Sequence, residues 1–415
     1  MAEPRLVVFS TLFPHHGQPN AGVFIRERMF RVGKVLPLTV VAPQPWFPLQ
    51  GLIRKWRPHF RPPAPRREVQ DGIEVLYPRF FSIPGLFKSL DGLFMAIGSL
   101  PTLLRLKRSF QFNLIDAHFA YPDGYAATLL GRWLKVPVTI TLRGTEVPLS
   151  RDPARRCRIV AALACASRIF SVSDSLKRHT VSLGIDGAKI RVVGNGVDTT
   201  KFHPLPKTEA RSRLGLPQDA PVIVSVGALV ERKGFHRVIE CLPGLLRQFP
   251  DLHYLIVGGA GPEGDMSEAL RRQVAELGLE STVHFLGPIA PTELKLPLSA
   301  ADVFTLATRN EGWANVFLEA MACGLPVVAT DVGGNAEVVC KPELGTIVPF
   351  GQRATLEGAV TDALRRRWDR TAIIAYASDN SWDSRVAVLT EEFNRLTLSI
   401  SPHAAGHNPH TSPTP

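Results

Sequence analysis

The 415-residue sequence has no apolar run long enough to cross a bilayer. A spanning helix needs roughly 20 predominantly apolar residues, and the best candidate, LFMAIGSLPTLL (93–104), is shorter and interrupted by Pro101. The opening MAEPRLVVFSTLF lacks the charge and apolar pattern of a secretory leader: Glu3 and Pro4 precede a short β-like run, which reads as a first strand. Its five cysteines (Cys157, Cys165, Cys241, Cys323 and Cys340) show no CxxC pair and no metal-ligand spacing. Reduced, mostly buried thiols in a cytosolic protein are therefore expected. No Asp-x-Asp metal motif occurs. Acidic residues are scarce at the start: residues 1–110 carry 16 Lys and Arg against 6 Asp and Glu, which accounts for ten of the eleven net positive charges. At 45% hydrophobic and 20% charged residues, the composition excludes a disordered chain.

Within that basic stretch, PQPWFPLQGLIRKWRPHFRPPAPRR (43–67) holds six basic residues and no acid, with Trp46, Phe47, Trp56 and Phe60 interleaved. Aromatics that sit at headgroup level among cations suit an anionic membrane surface, on the inner face of the plasma membrane for a cytosolic protein. The same mixture suits an anionic ligand, or a solvated loop whose prolines prevent regular structure. Nucleic acid is not expected as a partner, because no nucleic-acid module accompanies the charge.

Short β-rich runs alternate with helical segments, which predicts α/β architecture with parallel sheets. The first series comprises strands near 5–11, 38–43, 72–78, 114–119, 136–142, 167–173 and 189–195. DTTKFHPLPKTEARSRLGLPQDA (198–220) breaks the alternation with prolines and polar residues and reads as an interdomain linker. A second series follows at 221–227, 252–259, 282–287, 302–308, 325–330 and 345–350. Two doubly wound units are expected, over residues 1–197 and 221–379, as Rossmann-like domains facing across a ligand-binding cleft. Ligands in such sheets bind outside the carboxyl ends of the strands. The tail, 400–415, is low in apolar residues and expected to be disordered.

Four stretches, VSVGALVERKGFHRVIE, LIVGGAGPE, EGWANVFLEAMACGLPVVATDVGGNAEVV and IRVVGNGVDTTKF, occur in an order and spacing that resemble the family 4 glycosyltransferases of GT-B fold. The resemblance covers roughly residues 5–397. It implies transfer of a sugar, with retention at the anomeric carbon, from a UDP- or GDP-sugar to an acceptor. The first domain would hold the acceptor and the second the nucleotide-sugar, with no metal or other cofactor required. It also implies that the helix in 380–399 crosses back onto the first domain. The basic first domain favours a lipid-linked saccharide acceptor in surface or exopolysaccharide assembly. The alternatives are a nucleotide-sugar epimerase of the same fold and a non-catalytic nucleotide-sugar-binding protein.

A leaving nucleoside diphosphate needs cations or aimed backbone N–H groups. Arg232 and Lys233, following the strand that ends at Gly227, match the family's diphosphate-contacting RKG position, and the resemblance places Gly227 against the donor with them. The helix starting near Asn315 offers unsatisfied N–H groups and a positive dipole end to an anion. The resemblance places Gly312, Trp313, Ala314, Asn315 and Val316 against the distal phosphate and sugar. Trp313 and Ala314 replace the Phe and Gly of the usual EGFG form, and Ala disfavours a positive φ. Glu311 would hold sugar hydroxyls and Glu319 the ribose diol. In the first half, Gly22 starts a helix in NAGVFIRERM and implies a close backbone approach to diphosphate or acceptor. His118 matches the family's histidine beside the donor sugar, and Arg143 and Gly144 are expected in the acceptor cleft.

Overall fold

The computed structural model describes residues 3–19, 21–48, 50–56, 60–261 and 263–398. The tail at 400–415 and residues 57–59 of the basic stretch lie outside the described residues. Sixteen strands occur among them. Those of the first half are β1 (Leu6–Phe9), β2 (Leu38–Val41), β3 (Gln44–Trp46), β4 (Arg67–Gln70), β5 (Ile73–Leu76), β6 (Arg79–Phe81), β7 (Leu114–His118), β8 (Val138–Leu142), β9 (Arg168–Ser171) and β10 (Ile190–Val192). Eight of these form one sheet in the order β10-β9-β8-β7-β1-β2-β5-β4, and β3 pairs separately with β6. The second half supplies β11 (Val222–Val226), β12 (His253–Val257), β13 (Val283–Gly287), β14 (Val303–Leu306), β15 (Val327–Thr330) and β16 (Gly345–Val348), in the order β13-β12-β11-β14-β15-β16.

The pairings registered for this second sheet are parallel. Parallel strands are covered on both faces and so read as unbroken apolar runs; β11, β14 and β15 are buried along their whole length. Two hydroxyls that enter this core, those of Tyr254 and Ser225, find partners within it, whereas the buried Thr305 hydroxyl has none among the described residues. Tyr254 donates to Ser225 Oγ at 2.8 Å, and Ser225 donates to the Thr305 carbonyl at 2.5 Å. That arrangement avoids the cost of an unpaired buried hydroxyl, about 1–3 kcal/mol.

The chain divides into two compact units, and the division does not fall at residue 197. Unit 1 comprises residues up to Thr141, Pro153–Ile169 and Val386 onward; unit 2 comprises Leu142–Asp152 and Phe170–Arg385. Hydrogen bonds explain why segments from the first half belong to unit 2. The Glu337 carboxylate accepts from the amides of Asp174 and Ser175 at 2.5 and 2.8 Å, capping the helix Asp174–Ser182 at its positive end. Residues 198–220 are also part of unit 2 and contain the helix Lys207–Leu214. Arg211 on that helix is buried and pairs with Asp302 at 2.8 Å. The final helix, Trp382–Leu398, belongs to unit 1 from Val386 onward, where it buries Leu389 and Phe393 and pairs Glu392 with Arg168 at 3.0 Å.

Two expectations need correcting. The cysteines are not mostly buried: Cys241 and Cys323 are, whereas Cys157, Cys165 and Cys340 are exposed. In the helix Pro153–Cys165 the buried residues are Ile159, Ala162 and Leu163, which leaves both cysteines off that face. The proline-rich stretch is not all irregular either, since it contains β3 and the helix Gln50–Trp56. Among the described residues, no helix is long and apolar enough to cross a membrane.

Gly234 links the β11 loop to the helix Phe235–Leu246. Its φ is +76°, and a Cβ there would stand 1.9 Å from the Ala307 carbonyl oxygen just beyond β14. Gly234→Ala is expected to cost about 2 kcal/mol or more, from the left-handed backbone together with the overlap. Chemical denaturation should register this as a lower midpoint with an unchanged slope.

Candidate active site

In the order β13-β12-β11-β14-β15-β16 the direction of winding reverses between β11 and β14. That switch point is where open α/β sheets bind ligands. The loops leaving those two strands are tied together there. The Arg309 amide and the Thr308 hydroxyl both donate to the Arg232 carbonyl, at 2.8 and 3.0 Å. Lys233 Nζ lies 2.6 Å from Glu311 Oε2, and Arg232 Nη1 lies 3.4 Å from the same oxygen. Arg232 also forks onto Glu263 at 2.7–3.0 Å. Hydrogen bonding to Glu263 is the main reason the Arg232 guanidinium titrates above its ordinary value, and it holds the Glu263 carboxyl below its own. Gly227, just after β11, lies beside the Lys233 stem, which a Cβ there would meet in ordinary contact at 3.7 Å.

The partner of Glu311 is thus supplied by the protein. Its carboxylate, expected on sugar hydroxyls, rests on the two cations expected on diphosphate. Arg232, Lys233, Glu263 and Glu311 form one charge-balanced cluster. Gly333, at φ +56°, supports it from β15's loop: a Cβ would fall 1.6 Å from the Glu311 carbonyl oxygen.

The next loop residues pack on two segments of unit 2. A Cβ on Gly312 would meet the Arg143 carbonyl oxygen at 2.5 Å, and the Trp313 ring lies where a Cβ on Gly194 would stand, 2.7 Å away. Arg143 Nη1 donates to Asn195 Oδ1 at 2.9 Å, and Asn195 Nδ2 donates to Asn315 Oδ1 at 2.8 Å. Gly144 donates its amide to the buried Glu146 at 2.8 Å. Ala314 adopts φ −84°, ψ 90°, so this loop needs no glycine there and alanine fits without strain. Ala314 gives no side-chain cap to the helix Asn315–Ala322, leaving its first N–H groups available to an acceptor. Val316 and Glu319 are half-buried on that helix. Glu319 adds to burial in pushing the Cys323 thiol up to about 12.

Unit 1 has its own switch point, between β1 and β7. Gly22 precedes the helix Val23–Val32 at φ +71°, and the close approach it permits is to the Leu12 carbonyl, 2.3 Å from a would-be Cβ. His118 ends β7, fully buried, with Nε2 3.4 Å from Asp116 Oδ2. Asp123 joins the two loops: it accepts from the Thr11 amide and, at 3.2 Å, from the Thr11 hydroxyl. Asp123, Asn195, Glu146, Glu263 and Glu337 were not singled out from the sequence. Of these, Glu337, Glu263 and Asn195 lie within the glycine-rich stretches already quoted, where the neighbouring glycines were the available signal. Among the described residues no group of three His, Cys, Asp or Glu could hold a metal ion.

A model of the group 1 glycosyl transferases matches residues 206–380 and one of glycosyltransferase family 4 matches residues 35–201. The GDP-mannose-dependent alpha-(1-6)-phosphatidylinositol monomannoside mannosyltransferase of Mycolicibacterium smegmatis is 35% identical over 61% of this chain and 69% of its own. The chain belongs to the family 4 glycosyltransferases. This glycosyltransferase is also 28% identical, over 92% of each chain, to the putative teichuronic acid biosynthesis glycosyltransferase TuaC of Bacillus subtilis. The structure of Anabaena Alr3699/HepE in complex with UDP superposes with a TM-score of 0.70 at 21% identity, covering 95% of this chain and all of that one. The fold is GT-B, with two Rossmann-like domains, and the donor of such an enzyme is a nucleotide-sugar.

Burial raises the Asp123 carboxyl to about 7 from an ordinary 3.8. A raised carboxyl pKa means that the folded state keeps a proton the unfolded chain has lost. The stabilisation is full below pH 3.8 and is lost as pH rises through 7. Asp123→Asn keeps an acceptor for Thr11 and removes the titration. Denaturant unfolding of both proteins from pH 4 to 8 should show the variant gaining on the wild type up to about pH 7, then a constant difference.

Proposed function

We propose that this glycosyltransferase retains the donor's anomeric configuration and moves a hexosyl group from a UDP- or GDP-sugar onto a lipid-linked saccharide in surface polysaccharide assembly. The observation that carries the donor half is the meeting of Arg232, Lys233 and Glu311 at a strand switch point, beside the uncapped start of the helix at Asn315. In this reading Arg232 and Lys233 turn to the diphosphate, and the N–H groups of the 312–316 segment receive the distal phosphate and sugar. Glu311, released from the cations, accepts from sugar hydroxyls, and Glu319 accepts from the ribose diol. Gly22, Gly227 and His118 keep the substrate contacts that the resemblance gives them, and Arg143 and Gly144 line the acceptor side.

The reaction breaks the bond from the anomeric carbon to the phosphate oxygen and forms one to the acceptor oxygen on the same face. The acceptor's proton goes to the departing phosphate oxygen. The protein therefore supplies position and electrostatics rather than a nucleophile. The acceptor half is favoured by relatives whose names give a teichuronic acid pathway and a phosphatidylinositol mannoside. It is also favoured by the helix Gln50–Trp56, which exposes Leu52 and Trp56, the latter 88% exposed, beside Lys55.

Calorimetric titration with UDP, GDP and their sugars tests the donor site. Lys233→Met and Glu319→Gln should each weaken the preferred donor by about tenfold or more, since a charge-assisted hydrogen bond contributes about 1.5–3 kcal/mol. Wild-type affinity in both variants sinks the assignment, and an inverted anomeric signal in the product's proton NMR sinks retention. The membrane reading predicts flotation with phosphatidylglycerol vesicles, weak flotation with phosphatidylcholine, and loss in Leu52→Ser/Trp56→Ser. Equal flotation with both lipids removes it.

A further inference from the structure

A cavity of about 740 Å³ lies in unit 1. It is walled by the segment 61–66, by the start of the helix Gln50–Trp56 and by the chain around Tyr77–Arg79. Its size falls within the roughly 300–1,000 Å³ of small-ligand sites. Five arginines line it (Arg54, Arg61, Arg66, Arg79 and Arg105), and among the described residues no Asp or Glu does.

The five divide by what they do. Arg54 and Arg61 build the wall. Arg54 donates to the Arg61 carbonyl at 2.7 Å and to the Phe60 carbonyl at 3.3 Å, and Arg61 donates to the Ser82 carbonyl at 2.8 Å. The loop after β1 lines the cavity as well, through Thr11 and Gln18, and meets this wall where Gly17 lies so near Pro62 that a Cβ would stand 3.1 Å from it. Arg66, Arg79 and Arg105 are different. Among the described residues their guanidinium groups have no hydrogen bond and no carboxylate partner, although the adjacent Arg67 has one, Glu74 at 2.6 Å. Three cations left uncompensated around one concavity focus a positive potential into it.

A second observation concerns a neutral group. Gln50 lines the cavity and is only 5% exposed, yet its Oε1 has no hydrogen-bond partner among the described residues. A buried amide oxygen without a donor costs free energy, and a ligand hydroxyl would supply that donor. Trp46, half-exposed on the rim, offers an apolar ring face, which suits the CH face of a sugar. An inorganic anion would use the arginines alone. A neutral sugar would use Gln50 and Trp46 and leave the arginines without a purpose.

We infer that this cavity recognises an anionic saccharide, a run of sugars bearing phosphate or carboxylate groups, and that it selects such a chain as the acceptor. The anionic groups meet Arg66, Arg79 and Arg105, and a hydroxyl meets Gln50. The assignment of the ligand as acceptor rests on the transferase reading above; the binding itself does not.

Calorimetry with the full chain at two salt concentrations tests this, using tetragalacturonate, neutral maltotetraose and inorganic phosphate. Tetragalacturonate should bind, and more weakly at high salt, while maltotetraose and phosphate should bind at least tenfold more weakly. Arg79→Ser/Arg105→Ser should lose tenfold or more in tetragalacturonate affinity, and Gln50→Leu should lose severalfold. UDP or GDP binding and the melting temperature should be unchanged in the arginine variant, whose two side chains are exposed. Equal binding of maltotetraose, or wild-type affinity in the arginine variant, overturns the inference. So does an arginine variant that loses binding to phosphatidylglycerol vesicles but keeps it for tetragalacturonate, because the cations then serve a lipid surface. Loss of all nucleotide binding in the wild type would overturn the donor assignment instead, and leaves this result readable on its own.

Discussion

Where the winding of a parallel sheet reverses, two neighbouring strands send their chains to opposite faces, and the loops that leave them stand side by side with no helix between. Both sheets of this protein are built around that gap, and each closes it with a carboxylate. At β11 and β14 the closure is Glu311 on Lys233 and Arg232. At β1 and β7 it is Asp123 on the Thr11 amide and hydroxyl. The two closures differ in kind. Glu311 is held by charges, which can be redirected. Asp123 is held by neutral donors deep in the protein, where burial raises its pKa, and it reads as a fixed tie.

The loops are tied to one another by close backbone packing and side-chain hydrogen bonds. Gly234 and Gly333 let one loop's backbone touch another's, at Ala307 and Glu311 respectively. Arg143, Asn195 and Asn315 form a chain of side-chain hydrogen bonds behind the loop that carries Trp313. A site held this way positions its donors before any ligand arrives, and electrostatic catalysis depends on such preorganisation.

Strand alternation and the order of the glycine-rich stretches were legible in the sequence, because parallel strands are uniformly apolar and the glycine-rich turns carry local patterns. Arg232, Lys233, Glu311 and Glu319 could be named from those patterns. That Glu311 would rest on Lys233 could not, since the pairing spans 78 residues and depends on which strands are neighbours. Asp123, Asn195 and Glu337 escaped notice for the same reason: each bonds to groups brought near only by the fold. The helix Gln50–Trp56 was hidden by the prolines around it, which say where a helix cannot continue but not that one cannot form between them. The exposure of Cys157 and Cys165 follows from which face of one helix meets the core, and local composition does not reveal it.

The charge balance of the donor cluster constrains how any diphosphate could bind. Two like charges repel by about 4 kcal/mol at 4 Å and an effective dielectric constant of 20, and Arg232 and Lys233 share the Glu311 carboxylate as a common counter-charge. Lys233 and Glu311 are 16% and 14% exposed, so water screens that pair only in part. An arriving dianion meets a cluster with no net charge, and its attraction to the cations must exceed theirs to Glu311. The uncapped helix start at Asn315 tips that balance, because its N–H groups favour an anion without being neutralised by any side chain. In the proposed reading, exchange of Glu311 from cations to sugar hydroxyls would keep its oxygens satisfied in both states, so that one carboxylate would stabilise the empty site and orient the occupied one.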